Sequence, residues 1–181
     1  MPDPTHADES PRRTFVKVSA LAIGGVVGTV PFAAGLVTFF DPLRRAAAVG
    51  DFIRVTSLAA LPTDGVPRKF SVIANRSDAW NRFPNVPIGA VYLRRTGERS
   101  VQAVNVVCPH AGCFVDFKER QGFYLCPCHN STFDLDGAIR DRKSPSPRAL
   151  DSLEVEIRDE GEVWVKFQNF QAGSKVKKPL A

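Results

Sequence analysis

Two short segments, Cys108-Pro-His110-Ala-Gly-Cys113 and Cys126-Pro-Cys128-His129-Asn-Ser131, hold all four cysteines and two of the three histidines of the chain. Fifteen residues lie between His110 and Cys126. Sulfur and imidazole donors gathered in this way mark a metal site, and the fold must bring two loops together to build it. A tetrahedral structural zinc takes four ligands and leaves two cysteines without a task. A domain stapled only by disulfides leaves both loop histidines without one.

The sequence after Gly50 is long enough for one globular domain and short for two. Its apolar runs are brief, rich in Val, Ile and Phe, and partly alternating: Phe52–Val55, Phe70–Ala74, Val91–Leu93, Val101–Val104, Leu153–Ile157 and Val163–Phe167. Gly, Pro, Asn and Asp punctuate them, which is the pattern of strands joined by turns. The expected architecture is mainly β, an antiparallel head over residues 51–181 with the metal-binding loops inserted as a subdomain near 105–147. A helical turn or two is expected only around Ser77 to Phe83. Trp80 and Trp164 read as core or strand-packing residues, and His6 has no evident role.

The N-terminal third differs in kind. From Val18 to Phe40 no residue is charged, and 23 helical residues at about 1.5 Å each cover a hydrocarbon core of about 30 Å. Residues 18–40 are therefore expected to be a transmembrane anchor, longer than the core of an ordinary signal peptide. Phe32-Ala33-Ala34-Gly35 supplies small residues that a signal peptidase accepts; length favours a retained anchor. Before the span, residues 1–17 contain Arg12, Arg13, Phe15 and Lys17, which resembles a twin-arginine export signal. Residues 41–50 read as a tether, either a short helix beginning at Asp41-Pro42 and ending at Gly50 or a flexible hinge. The net charge of +5 is spread over the N-terminal region and the tail lysines Lys175, Lys177 and Lys178. No nucleic-acid motif accompanies it, so no nucleic-acid partner is expected; an acidic partner or anionic lipid suits it better.

The two cysteine-histidine segments closely resemble the signature of the Rieske iron-sulfur family. The resemblance implies one [2Fe-2S] cluster, with Cys108 and Cys126 on one iron and His110 and His129 on the other. It further implies that Cys113 and Cys128 form a disulfide between the loops. Closing a loop of that size contributes on the order of 3 kcal/mol in the chain-entropy model, and the bond places the head in an oxidising compartment. Two neutral imidazoles in place of two thiolates raise the cluster's potential. Ser131 stands where high-potential members donate a hydrogen bond to a bridging sulfide, while Phe133 stands where they usually carry a tyrosine. Asn130 replaces a more usual glycine and tolerates a left-handed backbone. Ser144-Pro-Ser-Pro147 falls where the family has a proline-rich loop covering the cluster.

Signal, anchor, tether and β head together resemble the Rieske subunit of a cytochrome bc-type quinol:cytochrome c oxidoreductase. The implied function is one-electron transfer from quinol at a cytochrome b-type subunit to a c-type cytochrome, in a respiratory-type chain. The subunit would not be catalytic alone. His129 would contact quinol and accept its proton, with His110 the second exposed ligand. The implied location is the cytoplasmic membrane of a prokaryote, single-pass, with the N-terminus in the cytoplasm and the head outside. An exported Rieske small subunit of an arsenite oxidase-like molybdoenzyme is the alternative; the long anchor and the proline-rich segment weigh against it. Phe133 lacks the hydroxyl that would stabilise the reduced cluster, so Phe133→Tyr is expected to raise the midpoint potential in protein-film voltammetry. An unchanged or lower value would contradict that account of tuning.

Overall fold

The computed structural model describes residues 11–44, 50–77 and 81–180. It divides into two compact units, Met1–Ala47 and Ala48–Ala181.

The first unit is a single helix, α1, over Pro11–Arg44. Proline suits a first helical position because its missing N–H is one that the helix leaves unpaired. Pro11–Phe40 contains an 18-residue window of mean hydropathy 1.9 and is long and apolar enough to cross a membrane by length and composition. Two of its hydroxyls bond the helix backbone, Thr29 Oγ1 donating to Val26 O at 3.3 Å and Thr38 Oγ1 to Ala34 O at 3.0 Å, as suits a segment without water. The helix begins before the expected span and so includes Arg12 and Arg13. It also runs through Asp41-Pro42 instead of restarting there. The rest of the expected tether short of Gly50, together with His6 and Trp80, lies outside the described residues.

The described residues of the second unit form ten strands: β1 Phe52–Ser57, β2 Arg68–Ser77, β3 Arg82–Gly97, β4 Ser100–Asn105, β5 Asp116–Lys118, β6 Phe123–Leu125, β7 Thr132–Phe133, β8 Ser152–Leu153, β9 Val155–Arg158 and β10 Glu162–Lys166. They form three antiparallel sheets, ordered β1-β10-β9, β2-β3-β4-β8 and β5-β6-β7. The chain is thus mainly antiparallel β after one N-terminal helix. The helical turn expected near Ser77 to Phe83 is not found among the described residues. Ser77 ends β2 and Arg82 begins β3, and the Asn85 N–H bonds the Asn75 side chain across the pair at 3.1 Å.

Strand alternation sorts the side chains between two cores. Val91 and Leu93 on β3 and Ala103 on β4 enter a core with Leu58, Val72, Val163, Val165 and Phe167. Tyr92 and Val104, on the opposite faces of the same strands, enter a second core with Val106, Cys108, Val115, Tyr124, Cys126, Phe133 and Leu150. The middle sheet is therefore covered on both faces, and Val91-Tyr-Leu93 reads as an unbroken apolar run for that reason. The Tyr92 hydroxyl accepts the Phe117 N–H at 3.1 Å and donates to Val115 O at 3.3 Å, fastening the third sheet to β3. Burial and the nearby Asp116 carboxylate push its pKa up, against the opposing Phe117 N–H, so the bridge stays protonated. Trp164 packs on β10, where its indole N–H bonds Glu162 at 3.0 Å beneath the Arg158 guanidinium.

Gly50 enters the head against the backbone of Phe167: a Cβ there would stand 2.6 Å from the Phe167 carbonyl oxygen. Backbone cannot yield as a flexible side chain does. Gly50→Ala is expected to cost about 1–3 kcal/mol in urea unfolding of the head. No loss would show that this approach is slack.

Candidate metal centre

The two cysteine-histidine segments are loops leaving the second core, one between β4 and β5 and the other between β6 and β7. They are built alike. In the first, the Cys108 N–H bonds Cys113 O at 2.7 Å and the Gly112 N–H bonds Cys108 O at 3.0 Å. In the second, the Cys126 N–H bonds Ser131 O at 2.8 Å and the Asn130 N–H bonds Cys126 O at 3.0 Å. The residue four places after each leading cysteine is left-handed, Gly112 at φ 80° and Asn130 at φ 58°. Asparagine is one of the few side chains that adopts this conformation readily.

This shared turn brings the imidazoles of His110 and His129 together, their ring centroids 4.7 Å apart and their planes at 88°. His129 is exposed and His110 half-buried, while Cys108 and Cys126 lie fully inside as free thiols. Cys113 and Cys128 are joined by a disulfide with Cα atoms 6.6 Å apart. The sulfurs of Cys113, Cys126 and Cys128 all lie within 4.8 Å of one another, so the bridge closes directly against a buried thiol.

Burial pushes the Cys108 thiol pKa up, only partly offset by the His110 backbone N–H and the adjacent Ser131 hydroxyl, and Cys126 nearby adds to the rise. Two neighbouring buried thiols cannot both ionise without a cation to neutralise them. The His110 Nδ1, Ser131 Oγ and Thr132 Oγ1 atoms are likewise buried without a hydrogen-bond partner among the described residues. An inward imidazole nitrogen, two buried sulfurs and a spare hydroxyl are the unmet needs that an iron-sulfur group fills. Cys108, His110, Cys126 and His129 could hold it. Phe133 is fully buried behind the second loop.

Sequence reasoning treated the tail after β10 only as a source of charge. It is a strap laid against the first loop. The Gly173 N–H bonds Pro109 O at 2.8 Å, and a Cβ on Gly173 would lie 3.7 Å from His110 O. The strap folds back on itself through Gln171 N–H to Lys178 O and Leu180 N–H to Asn169 O, both 2.9 Å. Arg148 Nη1 donates to Ser174 O, while its guanidinium grips Asp151 at 3.0 and 2.7 Å. The proline-rich segment is drawn in beside it, Ser146 Oγ bonding Arg148 O at 2.7 Å.

Asn105 joins strap and loop at the end of β4. Its side-chain amide donates to Gln168 O at 2.9 Å and Asn169 Oδ1 at 3.0 Å, and its oxygen accepts the Val107 N–H at 2.9 Å, one residue before Cys108. A polar residue between one valine and a valine pair, as in Val104-Asn-Val-Val107, was the available signal. Asn105→Ala would leave buried partners unpaired and is expected to destabilise the head by about 2–3 kcal/mol. Iron release to a chelator, followed by loss of visible absorption, should quicken; an unchanged rate would show that the strap does not hold the loop.

A family model for the Rieske [2Fe-2S] domain matches residues 55–156. The cytochrome b6-f complex iron-sulfur subunit of Trichodesmium erythraeum is 26% identical over 167 residues, covering 90% of this chain and 86% of that one. The cytochrome bc1 complex Rieske iron-sulfur subunit of Streptomyces lividans is 40% identical over 62 residues, covering 34% of this chain and only 36% of the relative. Among solved structures, the plasma membrane Rieske protein PetC3 of Synechocystis PCC 6803 is 26% identical with a TM-score of 0.45, covering 64% of this chain and 99% of that one. With more than half of its length matched by the family model, the chain belongs to the Rieske [2Fe-2S] domain family, and its cofactor is a Rieske [2Fe-2S] cluster.

Proposed function

We propose that this chain is the electron-transfer subunit of a membrane-bound cytochrome bc-type complex, taking one electron and one proton from quinol and passing the electron to a c-type cytochrome. The observation that carries the reading is the meeting of an exposed His129 and a half-buried His110 over two buried cysteines. The names of its relatives as subunits of b6-f and bc1 complexes support it.

In this reading Cys108 and Cys126 hold one iron, and His110 and His129 hold the other. When bound, the cluster supplies a one-electron acceptor and makes the outer N–H of its imidazole ligands more acidic. His129 then offers a deprotonated Nε2 to the quinol hydroxyl and takes its proton. The fully buried Ser131 and Phe133 keep water away from the sulfur side. His110, flanked by the strap, is the second ring.

The anchor is α1, uncharged over Val18–Phe40. Arg12 and Arg13 act in export by the twin-arginine route, which leaves the N-terminus in the cytoplasm and the head on the far side of a prokaryotic cytoplasmic membrane. The Cys113–Cys128 disulfide suits that oxidising side.

Solubilising membranes that carry the tagged full chain in dodecyl maltoside tests this assignment. The chain is expected to elute with b- and c-type haems, and added quinol should produce its reduced-cluster EPR signal. Elution with molybdenum and without haem would replace this reading by the arsenite oxidase-like one.

A further inference from the structure

The cluster loops carry no charge of their own: Cys108–Val115 and Cys126–Phe133 contain neither acid nor base beyond their histidines. The field at the exposed rings is therefore set by neighbouring segments. On one side lies the strap, which from Gln168 onward has three lysines and no acidic side chain. Gly173 is bonded to Pro109, so Lys175 starts two residues, about 7 Å of chain at most, from the residue touching the His110 backbone.

These lysines are not on a loose tail. The strap is fixed by Asn105, Arg148 and its own paired backbone. Lys177 is committed, its Nζ donating to Ser152 O at 2.6 Å and lying 4.4 Å from the Phe170 ring centre. Lys175 and Lys178 are exposed, and among the described residues neither has an acidic partner. At the end of the first loop, Lys69 stands 5.7 Å from the ring centre of Phe114, an exposed aromatic that follows Cys113 directly. Asp116 is the next carboxylate along that loop. Asp151, at the foot of the strap, is neutralised by Arg148.

Elsewhere the balance reverses. Between Asp151 and Lys166 six carboxylates accompany two cations, and Glu154, Glu156 and Glu162 are engaged by Lys166, Arg158 and Arg54. Segments 168–180 and 151–166 thus carry opposite balances of charge.

We propose that Lys175 and Lys178 on the C-terminal strap, with Lys69 at the end of the loop, form a basic docking rim beside His110 that receives the acidic face of a protein redox partner. This rests on reading the chain as an electron carrier. A rim of one sign around a redox-active tip raises the encounter rate with partners of opposite charge, and that gain disappears as salt shortens the screening length.

Small oxidants of opposite charge measure the rim without the native partner, so the outcome does not depend on whether haem subunits co-purify. The dithionite-reduced full chain in dodecyl maltoside would be mixed with ferricyanide or tris(phenanthroline)cobalt(III). Each takes one electron from the reduced cluster and becomes ferrocyanide or the cobalt(II) complex. Raising ionic strength from about 10 to about 500 mM is expected to slow the ferricyanide reaction about tenfold and to speed the cobalt reaction. K175E/K178E should lower the ferricyanide rate about fivefold at low salt and reverse its salt dependence. R99E, at the far end of β4, should change it less than about twofold.

Two further readings separate a rim from a structural effect. The reduced-cluster EPR spectrum should be unchanged in K175E/K178E while its midpoint potential falls, and K175Q/K178Q should lie between it and the parent. A poly-glutamate peptide, standing in for an acidic protein face, should slow ferricyanide oxidation of the parent at low salt but not of K175E/K178E. Equal salt slopes for the two oxidants, or a parent and charge-reversed variant that respond alike to poly-glutamate, would overturn the proposal.

Discussion

Everything at the tip of this head depends on placing hydrophilic ligands at the edge of an apolar core. Cysteine sulfur is at home among Val106, Val115 and Phe133, whereas imidazole is not. The loops resolve the conflict by sending Cys108 and Cys126 inward and turning His129 outward within two or three residues. The same pair of backbone hydrogen bonds accomplishes the reversal in each loop, and the left-handed residues Gly112 and Asn130 make that turn affordable. The Cys113–Cys128 bridge then fixes the two turns against each other.

The scaffold behind the tip is a sheet used on both faces. One face of β3 and β4 closes the main core against β1 and β10, and the other supports the small sheet from which the second loop springs. Tyr92 links the two layers by a hydrogen bond at either side of its hydroxyl. Because the ligand loops sit on this doubly covered sheet, their positions inherit its rigidity more than that of their own short strands.

Much of this was legible in the residues. Short β-branched runs between turn formers announced an antiparallel β protein, and the cysteine-histidine pattern announced a Rieske cluster. Strands of two or three residues, β5 to β7, were not legible, since such segments carry no period to read. Arg82–Phe83 was read as helical turn because its strand character comes from pairing with β2. The strap was missed for a related reason. Gly173, Asn105 and Arg148 are far apart in sequence, and their common task exists only once the chain has folded.

Phe167 is where two ends of the head meet. Its backbone lies against Gly50, where the chain arrives from the N-terminal side, and its following residues become the strap that reaches Pro109. Entrance and exit thus share a single foundation stone, and its ring also occupies the space that a side chain on Gly89 would need. Insertions in the strap or in the approach to Gly50 must preserve this crossing, so variation in length is confined to segments on either side of it. The point where the chain enters the head and the segment that reaches the first loop are in this sense one architectural joint, built from two glycines and one phenylalanine.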